Sequence, residues 1–157
     1  MVSQVEYKRK FLVVIDETPE CERALTFAAY RVKRTGGTVV LMSVIEKPEF
    51  IGLGVEDVLR AEAVEEAERN LDARLARIRD IGEVRSESVI REGNAAEEIE
   101  RVIDQDRDIA ILVLAASTSG EGPGPLVMHF AGRANALPIP LTVVPGRMSD
   151  EEIIAIC

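Results

Sequence analysis

Three nearly unbroken apolar runs constrain this chain more than any other feature: Lys10–Ile15 (KFLVVI), Thr38–Ile45 (TVVLMSVI) and Ile109–Ala115 (IAILVLA). Strands exposed on one face alternate apolar and polar residues. Runs without that alternation belong to strands buried on both faces, which occur in parallel sheets covered by helices. Two weaker runs complete the set. Val84–Ile90 alternates at its start, which places it nearer a sheet edge, and Ile139–Val144 closes the series.

Segments of helical pattern separate the runs. Thr18-Pro19 opens the first, with Thr18 expected as cap, Pro19 at the first helical position, and Glu20 and Glu22 at the positive dipole end. Its inward stripe is Ala24, Leu25, Ala28 and Val32, and Gly36-Gly37 stops it. After a loop at 46–54, Val55–Ile81 reads as a long helix anchored by Val58, Leu59, Leu71, Leu75 and Ile78. Its charges, among them Glu65, Glu68, Arg69, Asp72 and Arg74, are expected to be solvated pairs. Asn94 and Glu97 form a capping pattern before Ile99, Val102 and Ile103, and Pro125–Leu137 reads as the fourth helix. In the tail, Ser149 and Glu152 repeat the capping pattern ahead of Ile153, Ile154 and Ile156. Those isoleucines need somewhere to bury, and a subunit seam is the expected place.

Strict alternation with short loops and right-handed crossovers predicts an α/β fold. The expected architecture is a Rossmann-like, doubly wound, five-stranded parallel sheet of order 3-2-1-4-5, with helices on both faces. The 157 residues fit one domain, 1–157, with 146–157 as a C-terminal tail. Ligands of such sheets bind beyond the carboxyl ends of the strands, where strand order switches.

A net charge of −9 argues against a nucleic-acid surface, which needs a basic face. No apolar run approaches the roughly 20 residues of a membrane span, and Met1–Lys10 is not followed by a signal-peptide pattern, so a cytoplasmic protein without membrane association is expected. Cys21 and Cys157 do not make a disulfide framework, and a single histidine without a cysteine cluster makes no zinc or iron site. The chain has neither a G-x-x-x-x-G-K-[ST] phosphate loop nor a G-x-S-x-G nucleophile elbow. No nucleophile–base pair supports an enzyme.

The loop Ala115–Pro125 (AASTSGEGPGP) lies between a buried strand and a helix, where α/β proteins hold anions on backbone N–H groups and a helix dipole. Ser117, Thr118 and Ser119 and the amides of Gly120, Gly122 and Gly124 are its candidate donors. Against them, two prolines lack an N–H and Glu121 adds negative charge. A rigid Gly-Pro turn that merely reconnects strand and helix is the competing reading. Asp16, at a strand end, either holds a ligand hydroxyl or only begins its turn. His129 either meets a ligand or is a half-buried helix histidine, and Arg91, Glu92 and Asn94 either line the cleft or form a surface turn.

Several of these segments resemble the universal stress protein family. The opening Phe11–Glu20 is similar to that family's strand-Asp-turn-Pro start. Val89–Ile99 resembles its entry to the third helix, Asp108–Ala115 its fourth strand, and Pro140–Val144 its closing strand. Together they span about residues 8–145. The resemblance implies an adenine-nucleotide site, with ATP and magnesium as ligands, whose base and ribose contacts would fall on Val14, Asp16, Val44 and Leu114. It also implies a homodimer paired through the fifth strand. ATP-binding members carry G-x2-G-x9-G-[ST], and here Ala115 stands in the first glycine's place. The alternative register, Gly122-x9-Gly132, has Ser119 in the first place and Arg133 in the last. Two functions therefore stand: a dimeric stress-response protein acting through protein interaction with a degenerate pocket, which binds no nucleotide, and an adenine-nucleotide-binding sensor or slow ATPase.

Overall fold

The computed structural model describes residues 9–46 and 55–157. Beyond Glu46, the loop expected at 46–54 lies outside the described residues. Among the described residues ten elements follow one another: β1 Lys10–Val14, α1 Cys21–Thr35, β2 Thr38–Ile45, α2 Glu56–Ile81, β3 Arg85–Glu92, α3 Ala95–Gln105, β4 Ile109–Ala116, α4 Pro125–Gly132, β5 Leu141–Pro145 and α5 Asp150–Ile156. All pairings are parallel, and the sheet order is β3-β2-β1-β4-β5, as expected.

Strand periodicity divides the core in two. Phe11, Val13 and Ile15 face α1, α2 and α5, meeting Leu25, Ala28, Leu71, Ile78 and Ile153. Leu12 and Val14 face α3 and α4, meeting Ile99, Ile103, Val127 and Phe130. The central strands β1 and β4 are thus covered on both sides, which is why their sequences do not alternate. Among the described residues no helix is long and apolar enough to cross a membrane.

Several boundaries differ from expectation. Thr18 does not cap α1: its N–H and its hydroxyl both donate to Asp16 Oδ1. That local turn delays the helix to Cys21. The fourth helix ends at Gly132 rather than Leu137, relaxing into short turns in which Arg133 N donates to Phe130 O and Ala136 N to Arg133 O. Val58 and Leu59 are exposed rather than anchoring α2. Arg74 is not a solvated partner within its own helix. It pairs with Glu22 of α1 at 3.0 Å, beside Arg77.

The tail also departs from expectation. Ser149 and Glu152 form the capping box reciprocally, but α5 packs on its own domain. Ile153 is fully buried in the core against α1, while Ile156 remains 60% exposed.

Candidate functional site

Strand order reverses at β1, which has β2 on one side and β4 on the other. A cleft opens beyond the carboxyl ends of these strands, as topology requires. It comprises two adjoining cavities of about 410 and 770 Å³ that share Val14, Asp16, Thr18, Pro125 and Leu126 as walls. The larger lies on the β2 side and is bounded by Ser43, Val44, Asn70, Asn94, Ala96 and His129. The smaller lies under the loop after β4 and is bounded by Leu114, Ala115, Ser117, Ser119, Gly122 and Gly124.

The loop's shape follows from its composition. Ser117 N donates across it to Pro123 O at 2.9 Å, closing a compact turn. Ser119 N donates to Ser117 Oγ and Glu121 N to Ser119 Oγ, so two serine hydroxyls absorb two amides. Gly122 and Gly124 have φ of 115° and 100°, a region in which a side chain is strained. Pro123 and Pro125 carry no N–H. Among the described residues, the amides of Gly120, Gly122 and Gly124 remain without a protein acceptor.

The electrostatics are one-sided. Asp16, Glu20 and Glu121 line the smaller cavity, and Glu17, Glu46 and Glu66 the larger, with no Lys or Arg among the described lining residues. Hydrogen bonds from its own backbone N–H and from Thr18, with Thr118 adding to them, hold the Glu20 carboxyl below its usual range, so it stays ionised at neutral pH. Cys21 also lines the smaller cavity. Burial pushes its thiol up, although the bond to Asp16 O at 3.6 Å opposes that, and the sulfur is therefore a neutral wall rather than a nucleophile.

Of the residues expected at a site, Val14, Asp16, Leu114, Ala115, Ser117, Ser119, Gly122 and Gly124 converge on the smaller cavity, and Val44 lies in the larger. Thr118 and Gly120 line neither. The Thr118 hydroxyl is turned away to Glu20 Oε1 at 3.2 Å. Asp16 serves its own turn through Oδ1 while still facing both cavities. His129 borders the larger cavity, with Nε2 3.4 Å from Glu100 Oε1. Asn94 caps α3 at the cavity's rim, whereas Arg91 turns to Gln105 and Glu92 to Arg60. Sequence reasoning missed Glu20 and Met128 as lining residues. Position was the available signal for Met128, because it lies in the first turn of α4 directly after the loop.

The universal stress protein family model matches residues 8–145. Three solved structures share the fold. The universal stress protein UspA from Lactobacillus plantarum is 19% identical with a TM-score of 0.72, covering 87% of this chain and 97% of its own. The universal stress protein from Archaeoglobus fulgidus in complex with dAMP is 17% identical, TM-score 0.60, covering 88% and 98%. A family protein from Arabidopsis thaliana with AMP bound is 16% identical, TM-score 0.59, covering 91% and 94%. A comparison with curated protein sequences found no match.

Proposed function

The chain belongs to the universal stress protein family, and we propose that it binds an adenine nucleoside or nucleotide weakly in the cleft beside β1. The observation that carries this reading is the cleft itself. It lies at the switch point, with apolar walls from Val14, Val44 and Leu114 beside a carboxylate, Asp16, suited to ribose hydroxyls. The base end of the pocket retains its chemistry, and relatives of this fold have been solved with dAMP and AMP.

The phosphate end has been rebuilt. Two prolines remove amide donors, two serines consume others, and Glu20 and Glu121 repel phosphate. Losing one or two charged hydrogen bonds, at about 1.5–3 kcal/mol each, weakens binding by roughly ten-fold to more than ten-thousand-fold. The carboxylates Asp16, Glu20 and Glu121 are the donor type that magnesium takes, but among the described residues no three such side chains are grouped to hold a metal ion. Calorimetry with adenosine, AMP and ATP, with and without magnesium, tests the reading. Weak binding of at least one is expected. Absence of binding by all three overturns it.

The edge strand β5 favours a second, compatible reading: a homodimer that acts in the stress response through protein interaction. Within the described sheet β5 pairs only with β4, and Val143 is 37% exposed on it. An open edge of this kind is a hazard that pairing with a second copy removes. Light scattering at micromolar concentration should give twice the chain mass, and a monomer would count against it.

A further inference from the structure

The family match ends at residue 145, yet the residues after it touch the very loop that departs from the family's phosphate motif. Gly146 leaves β5 directly beneath that loop. A β-carbon there would overlap Ala116 O and stand 2.9 Å from both Glu20 Cγ and Thr118 Cγ2, so only glycine lets the chain pass this close. Arg147 Nη2 then donates to Thr118 O at 3.3 Å. The rest of the tail is fastened to α1. Arg23 Nη1 donates to Met148 O at 3.1 Å and pairs with Asp150 at 2.8 Å. Ile153 is fully buried, and Cys157 Sγ donates to Phe27 O at 3.7 Å.

We propose that Gly146–Cys157 is a positioning element for the loop Ser117–Gly124, with Arg147 its point of contact and the α1-bound helix α5 its anchor. Two features of this chain, the rebuilt loop and the tail, are then one device. A loop with several amides unpaired among the described residues gains a further constraint from a contact outside its own hydrogen bonds. Backing it with a segment fixed to the core supplies that constraint from outside the cleft. The consequence for ligands rests on the binding reading above. The consequence for the loop does not.

The test uses the full chain with Arg147→Ala and, separately, Gly146→Ala. Hydrogen exchange of the Ser117 amide reports the loop's closing bond to Pro123, and that of Val113 reports the β4 core. In both variants Ser117 should exchange at least about threefold faster while Val113 is unchanged. AMP affinity should fall by at least about threefold. Acceleration of Ser117 below threefold in both variants overturns the proposal, as does equal acceleration of Ser117 and Val113, which would mean general destabilisation. If neither wild type nor variants bind AMP, the nucleotide reading fails while the exchange comparison still decides the role of the tail.

Discussion

Thr118 donates its hydroxyl to the Glu20 carboxylate at 3.2 Å, tying the loop after β4 to the turn that opens α1. A hydroxyl that sequence position offers to a ligand is thereby spent on the protein, and an ionised carboxylate is held at the rim of the smaller cavity. The same pair explains why the loop's polar residues do not add up to a phosphate cradle.

Glu121 is the removable part of that unfavourable field. It lines the smaller cavity, is solvent-exposed and makes no ion pair among the described residues. Glu121→Gln should raise AMP affinity by about two- to fivefold at low salt, and the gain should fade at high ionic strength as screening shortens the field. Calorimetry at two salt concentrations checks this. A decrease in affinity would show that the carboxylate contacts the ligand favourably.

Asp16 holds its own turn and, in the proposed reading, the ligand's ribose. Asp16→Ala removes the acceptor of the Thr18 N–H and hydroxyl. Because that turn is exposed, stability should fall by only about 1 kcal/mol, whereas nucleotide binding should be lost. Binding that survives Asp16→Ala would mean that the ribose end works through other contacts.

Most of the fold was legible because it rests on burial. Unbroken apolar runs marked β1, β2 and β4, and crossover handedness ordered the sheet. What escaped were places where one side chain redirects a local rule. Asp16 captures Thr18 and displaces the start of α1. Glu22 draws Arg74 and Arg77 across from α2, a pairing that spacing within one helix cannot reveal. At the site, Ser117, Ser119, Gly122 and Gly124, neighbours along the chain, line one cavity, but the direction of Thr118 depends on Glu20, 98 residues away.

Two isoleucines three residues apart test whether the tail belongs to the core. Ile153 is fully buried and Ile156 is 60% exposed. Ile153→Ala should therefore cost about 2–5 kcal/mol, and Ile156→Ala less than about 0.5 kcal/mol. Urea denaturation measures both through the shift in midpoint. Equal, small effects would show that α5 does not dock on α1 in solution.

Lys10 supplies a pH-dependent term at the amino end of β1. Its ammonium lies 2.8 Å from Asp106 Oδ2 and 3.1 Å from Glu87 Oε2. The bond to Asp106 raises its pKa most; burial works against this and Glu87 adds to it, so the folded value lies above the unfolded one. A raised pKa contributes stability that is fully present below the unfolded value, about 10.4, and is lost as pH climbs through the folded value. Lys10→Met should thus be less stable than wild type by on the order of 1 kcal/mol at pH 7–9, a size suited to a pair of partly exposed partners. Above about pH 10.4 the difference should shrink as wild-type Lys10 deprotonates. Denaturation midpoints of both proteins between pH 7 and 11 measure that difference, and a gap that stayed constant or widened over the alkaline range would show that Lys10 stabilises the sheet through packing rather than charge.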